Sequence, residues 1–497
     1  MTGFIVEWRQ VNLTLTLERL HNADAPMTFA GGTHMIKHLR IRNFKGWKDT
    51  GLIKMAPLTV FFGANSSGKS SIGHLLLLLK QTVDNPDRKT IVFPGNNTSP
   101  VQLGSLMDVI YHHDDKNKIE FEYIWDLANP LHIKDAKSTK EYYGSTAMFS
   151  ASIGLRDRLT SEVEYLRYDL VSDDGEKLSV SMKKIQGKSS YSIKAENYEL
   201  VRNTGRVWEI GAPVRFYGFP ETVVAYYQNA DFVQSLNLQQ EKLFGSIYYL
   251  GPLRIKPQRL YTWSGSEPDS VGFSGENTIY SILAAQNRML NMGVNKRKKI
   301  FSEIIAEKLL EMDLIDDFTL SPIAEDRQAY EVKVRAKGSI DMVDLPDVGF
   351  GISQVLPVLV QLFYAPSNSI IIMEQPEIHL HPKAQALLAD VMIDAIKARE
   401  NGKDRKIQLI VETHSEHFLR RLQRRIAEDV ISSDQVAPYF ANTAVNPTSL
   451  DVLQIDMFGN ITNWPKDFFG DEMGDIAAQS IAAVKKRAKE NEQWSGA

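Results

Sequence analysis

An α/β fold, with a mixed sheet flanked by helices, is predicted by three observations. The stretch LTVFFGANSSGKSSIGHLLLLLK (58–80) reads as a short buried strand, a small-residue loop and a helix that is apolar nearly all round. SIIIM (369–373) is a continuous apolar run ending in Glu374, with Leu387, Leu388, Val391, Ala395 and Ile396 at helical spacing behind it. IQLIV (407–411) repeats the pattern, and Ser415 stands as N-cap before Phe418, Leu419, Leu422 and Ile426. Strand, helix, strand, helix is the alternation of a parallel sheet with helices on its faces.

The loop of the first stretch carries the chemistry. Gly63, Gly68, Lys69 and Ser70 fill G-x-x-x-x-G-K-[ST], the phosphate-cradling P-loop. Glycine together with Asn65, Ser66 and Ser67 lets successive backbone N–H groups turn toward a polyphosphate. Lys69 puts a positive charge at its β/γ oxygens, and Ser70 offers a hydroxyl to Mg²⁺. The helix that opens with Ser70 and Ser71 aims its positive end at the anion. A plain Gly/Ser turn between two core elements is the competing reading; the flanking strand and helix outweigh it. The sequence therefore predicts a P-loop NTPase that binds ATP and Mg²⁺.

Bulk properties narrow the class. The 497 residues, 43% hydrophobic and 24% charged, suit a soluble protein of two or three domains, or of one large domain with insertions. A formal net charge of −4 gives no global pull toward nucleic acid. Zero cysteines rule out disulfides, Cys-based metal sites and thiol catalysis, and fit a cytoplasmic location. The apolar run 75–79 is far too short to span a bilayer, and Glu7, Arg9 and Glu18 stand where a signal peptide needs an apolar stretch.

In order along the chain, Val11, Leu13, Leu15 and Leu17 alternate with polar residues as a strand in an N-terminal extension, 1–34. IKHLRIRNFKGW begins a first strand of the main module. The turn-rich stretch 84–100 follows the P-loop helix. From 119 to about 214, IEFEYIW, MFSASIGL, VEYLRYDLV and KLSVSMKK read as antiparallel strands, with a turn at Asp173-Asp174-Gly175. The expected partition is an ATPase head at 35–114 and 246–497 around a β-rich and partly helical insertion at 115–245. Residues 232–243 and 275–315 show helical spacing, and 330–337 alternates as a strand.

Further residues complete a nucleotide site. Glu374, at the tip of a buried strand, is where Mg²⁺ needs a carboxylate, because a buried acid is costly without a cation or donors. Glu377 or Gln375 would sit near an attacking water. In 347–354 (DVGFGISQ), Gly349, Gly351 and Ser353 open a helix that offers N–H groups and a hydroxyl to phosphate. His414, directly after the second apolar strand, can bond a γ-phosphate or its water. His379, His381, His414 and His417 lack an accompanying ligand set at metalloenzyme spacing. Basic clusters at 296–299 (KRKK), Arg420-Arg421-Arg424-Arg425 and 485–489 are each expected on a helix as solvated faces. The second is the best nucleic-acid candidate. No Asp-x-Asp pair marks nuclease chemistry, and fewer than about a hundred residues follow the last strand motif, too few for an appended nuclease domain.

These pieces, with IIIMEQPEIHLHP, VETHSEHFLRRL, YLGPLR (249–254) and NWPKDFFGDEMGD (463–475), resemble the ABC-type ATPases of the SMC, RecF and overcoming-lysogenization-defect group. In particular they resemble the stand-alone AAA15/AAA21-like ATPases of bacterial defence loci, such as Septu-type ATPases. The resemblance covers 35 to about 488 and leaves 1–34 outside. It implies a head-to-tail dimer, or a higher homo-oligomer, in which the 349–354 signature of one chain closes on the P-loop of another. It implies that Lys69 and Ser70 bind phosphate and Mg²⁺, that Glu374 takes the Walker B role and that His414 is the switch histidine. Gln375 departs from the acid often found there; glutamine cannot act as a general base, so either Glu377 does or hydrolysis is slow, as suits a switch. Gln81 and Gln102 are both open as the Q-loop glutamine. The expected partner is an effector protein such as a nuclease. The alternative is a repair-type ATPase that clamps DNA; a transporter-type subunit fits the long β-rich stretch poorly. No membrane partner is expected.

Overall fold

The computed structural model describes residues 35–465, except 136, 138–139, 158–159, 173–174, 206–208, 325–326 and 444–446, together with 477–484 and 486. The strand expected within 1–34, the turn residues Asp173 and Asp174, and most of 463–475 and 485–489 lie outside the described residues.

The central sheet has six strands: β10 (Ile247–Leu250), β11 (Ile370–Glu374), β12 (Gln408–Glu412), β4 (Leu58–Gly63), β13 (Val436–Asn442) and β14 (Ser449–Val452), in that spatial order. All adjacent pairs are parallel except β13 with β14, so the sheet is mixed. Its inner strands read as unbroken apolar runs because both faces are covered. Phe61, Ile370, Ile372 and Ile410 enter one core, while Val60, Phe62, Ile371, Met373, Leu409 and Val411 enter the other. On the first face lie helix α1 (Lys69–Asp84), with Leu75 to Leu79 all buried, and α2 (Phe232–Gly245). On the second lie α3 (Phe301–Glu311), α4 (Phe350–Tyr364), α5 (Pro382–Lys397) and α6 (Glu416–Ala427). Ser415 caps α6 as expected, its Oγ accepting from Phe418 N at 3.0 Å.

The antiparallel segments form a sheet of their own: β1 (Ile36–Phe44), β2 (Trp47–Asp49), β3 (Ile53–Lys54), β5 (Ile119–Lys134), β6 (Glu141–Leu155), β7 (Ser161–Ser172), β8 (Lys177–Lys184) and β9 (Tyr191–Glu196). Here the sequence expectation needs adjusting. The first strand pairs with the segment read as an insertion, Leu39 opposite Tyr123 and Ile41 opposite Phe121, so one sheet spans both. Alternation in β5 buries Ile119, Phe121, Tyr123 and Trp125. The two sheets are stapled where Gln408 Oε1 accepts from Ile36 N (3.0 Å) and Gln408 Nε2 donates to Ile36 O (2.8 Å).

A second difference lies at 275–315. Two helices do form, Thr278–Ala284 and α3, but a hairpin of Met289–Asn291 with Lys298–Ile300 separates them. The left-handed Asn295 and Gly293 make its turn, and KRKK rides on this hairpin rather than on a helix. Among the described residues no helix is long and apolar enough to cross a membrane. The architecture is an α/β P-loop fold, a mixed sheet with helices on both faces.

Candidate functional site

Three neighbouring parallel strands deliver the site to one sheet edge. In register, Glu374 stands beside Glu412, and Glu412 beside Phe61 of β4, two residues before the loop. The loop then turns on two glycines. Gly63 (φ 142) has no room for a Cβ, which would come 2.9 Å from Ala441 O. Gly68 (φ 85) lies against Trp47, whose Nε1 donates to Gly68 O at 2.9 Å. Asn65 and Ser66 are exposed, Ser67 and Ser71 are buried, and Ser70 is partly covered.

Lys69 folds into this cradle. Its Nζ donates to Gly63 O (3.0 Å), Ala64 O (2.7 Å) and Ser67 Oγ (3.3 Å), and lies 4.0 Å from Glu412 Oε1. Burial lowers the lysine pKa, and Glu412 opposes that. Glu412 accepts from the Ser70 hydroxyl; burial pushes its carboxyl up, and the adjacent Glu374 adds to the shift. Glu374 Oε1 accepts from Tyr249 Oη (3.0 Å) and from His74 Nε2 (3.1 Å). Burial, and then Glu374, drive the Tyr249 hydroxyl far above its ordinary pKa.

Beyond β11 the chain turns at Gln375 (φ 44), whose N–H donates to Glu412 O at 2.8 Å. Glu377 is buried: Oε1 accepts from His414 N (2.7 Å), the Thr413 hydroxyl also donates to the carboxylate, and Oε2 has no partner among the described residues. Burial raises its pKa. Arg254 runs beneath this turn, its Nη2 3.4 Å from both Glu374 O and Gln375 O. Its Nε and Nη1 have no partner among the described residues, and burial pulls its pKa down to about 10 against the opposing field of Glu377. The His414 ring bonds the Gly63 backbone; burial and the nearby Lys69 depress its pKa.

The structure thus brings Gly63, Gly68, Lys69, Ser70, Glu374, Gln375, Glu377 and His414 to one edge, and leaves the signature elsewhere. Gly349 and Phe350 face solvent, Phe350 being 59% exposed. Ser353 Oγ donates to its own turn, Phe350 O, at 2.9 Å, and Gly351 lies against His379. The Gln81 amide donates to Phe93 O, away from the loop, and Gln102 is exposed. Of the other histidines, His381 caps α5, accepting from Lys383 N. The α6 arginines are met by acids of the same chain: Arg421 and Arg425 by Asp390, Arg420 by Glu416 and Arg424 by Glu428.

Sequence reading missed Glu412, His74, Tyr249, Arg254 and Trp47 as site residues. Glu412 had the same signal as Glu374, an acid ending an apolar run; the others are placed only by tertiary packing. A hydroxyl and two buried carboxylates, one with a raised pKa, form a hard-oxygen donor set that fits Mg²⁺.

Parts of the chain are similar to known protein families. Residues 35–204 match the family described as AAA ATPase domain, and 264–420 match AAA domain, putative AbiEii toxin, Type IV TA system. Residues 431–479 match Protein of unknown function (DUF3696). Among curated proteins, Endonuclease GajA of Bacillus cereus (strain HuB5-5) is 20% identical over 439 residues, 79% of this chain and 56% of that protein. The chain therefore spans little more than half the length of that relative. Similar solved structures are the SmcHead bound to the C-winged helix domain of ScpA (12% identity, TM-score 0.38, 85% of this chain and 98% of that one) and the SMC head domain from Thermotoga maritima (10%, 0.35, 84% and 99%). Two stretches of the chain, 35–204 and 264–420, thus resemble AAA-type ATPase domains.

Proposed function

We propose that this protein binds and hydrolyses ATP as a nucleotide-controlled switch or sensor subunit of a bacterial anti-phage defence system, regulating a partner effector such as a nuclease in the cytoplasm. The carrying observation is the convergence of the P-loop lysine with the acids of β11 and β12, Lys69 Nζ standing 4.0 Å from Glu412 and Glu374 pairing beside it. The name of the GajA relative supports the nuclease context, and the matched family names support a defence setting.

Lys69 and the N–H groups from Gly63 to Ser71 bind the phosphates, exchanging the lysine's present carbonyl partners for phosphate oxygens. Ser70 and Glu374 would hold Mg²⁺, with Glu412 beside them, and the ion would supply positive charge to offset that of the phosphates. Glu377, its pKa raised by burial, takes a proton from the attacking water, a role Gln375 cannot fill. His414 is the switch histidine next to the loop. The exposed Gly349 and the half-buried Gly351 and Ser353 fit closure on the P-loop of a second copy, in a head-to-tail dimer or larger homo-oligomer. With the α6 arginines already paired, the DNA-clamping alternative has less support.

Lys69→Ala should abolish ATP binding or turnover and leave the fold intact, read by nucleotide fluorescence and phosphate release. Equal ATPase rates in variant and wild type would end the assignment. Salt-dependent DNA binding by the ATPase alone would favour the clamp, and a co-purifying nuclease the switch.

A further inference from the structure

Glu374 is gripped through one of its two oxygens. Lys45 Nζ lies 2.7 Å from His74 Nδ1, and His74 Nε2 lies 3.1 Å from Glu374 Oε1. An ammonium donates and cannot accept, so Nδ1 is the acceptor in the first contact. The proton of the neutral imidazole is then on Nε2, which donates to the carboxylate. Tyr249 Oη, from β10, donates to the same Oε1 at 3.0 Å. Oε2 receives no hydrogen bond among the described residues. Lys45 is itself held, in a left-handed conformation (φ 49) just after β1, by its N–H donating to Val109 O at 2.6 Å. Histidine and tyrosine thus reach Glu374 directly, and the lysine reaches it through the histidine. His74 is also set apart on its helix: its side chain is 20% exposed, whereas Leu75 to Leu79 are core.

We infer that His74, with its tautomer set by Lys45, is a positioning residue that fixes the Glu374 carboxylate by Oε1 and leaves Oε2 for the divalent cation. Groups that orient a metal-bound carboxylate tune its affinity although they never touch the metal. The inference rests on the reading of Glu374 as a Mg²⁺ ligand.

The test uses the full chain with a non-hydrolysable ATP analogue and Mn²⁺ as probe, its binding read by electron paramagnetic resonance. His74→Phe, which removes the donor, should weaken Mn²⁺ binding by roughly 10–100-fold, whereas His74→Gln, whose amide nitrogen can stand where Nε2 stood, should stay within about three-fold of wild type. Lys45→Met, which leaves the tautomer unset, should fall between them. Thermal melting checks the fold, and the last two variants carry the test alone if His74→Phe does not fold. Wild-type Mn²⁺ affinity in His74→Phe, or equal weakening in the Phe and Gln variants, would overturn the inference while the reading of Glu374 stands. Failure of the wild type itself to bind Mn²⁺ with nucleotide would sink that reading and this inference with it.

Discussion

Glu377→Gln separates chemistry from architecture at this site. The substitution keeps the size of the side chain, and the remaining carbonyl oxygen still accepts from His414 N, now 2.7 Å from Oε1, and from the Thr413 hydroxyl. What disappears is the negative charge, including its attraction to the buried Arg254. Relief of carboxylate desolvation works in the opposite direction, so the fold should change by no more than about 1–2 kcal/mol. ATP affinity should also hold, because Glu377 reaches Lys69 only as a distant field, weaker than those of burial and Glu412. Loss of a general base costs roughly 10²–10⁴ in rate, or about 3–5 kcal/mol of barrier. Steady-state phosphate release gives kcat, and a fluorescent nucleotide gives Kd independently. The expected result is a collapse of kcat at nearly constant Kd, larger than any loss in Gln375→Glu. A kcat within about three-fold of wild type, well short of general-base loss, or a Kd that rises by as large a factor as kcat falls, refutes the assignment.

Three other outcomes follow from the geometry. Glu412→Gln removes the acid next to Lys69 and Glu374, and should weaken Mg²⁺·ATP binding by about ten-fold or more; calorimetry showing unchanged affinity would make Glu412 a bystander. Trp47→Phe deletes the indole donor to Gly68 O and should cost about 1 kcal/mol in denaturant unfolding, with ATP affinity lowered too; an unperturbed melt would show the contact to be idle. Burial raises the pKa of both Glu377 and Glu412 above the unfolded value, so their stabilising proton uptake is complete below the ordinary carboxylate range and is lost as pH rises through the folded pKa. Nucleotide-free Glu377→Gln should therefore gain stability relative to wild type as pH rises from the acidic side toward neutral. A pH-independent difference in denaturant titrations would contradict the raised pKa.

What the sequence revealed was whatever a short window can encode. The P-loop, the apolar runs ending in Glu374 and before His414, and the Ser415 cap are local patterns, and each lies where its pattern put it. Residues whose importance comes from a distant partner were hidden. His74 sits inside a leucine-rich helix, and only β11 arriving beside that helix gives it a carboxylate. Arg254 matters because Gln375 turns over it, and Trp47 because Gly68 lies beneath its indole. Helical spacing misled at 289–300, where Gly293 and Asn295 permit a hairpin that apolar periodicity does not register. The sheet shared by β1 and β5 was equally illegible, since alternation announces a strand without naming its neighbour.

The position of β4 between β12 and β13 has a consequence for biosynthesis. On the ribosome this apolar strand emerges well before its neighbours, and both of its edges must wait for segments translated about 350 residues or more later. Until then LTVFF is a template for illicit strand addition, and long-range closure of this kind is slow. Chaperone holding of the nascent chain, and insolubility of fragments cut before residue 436, would be the cellular signature of that delay.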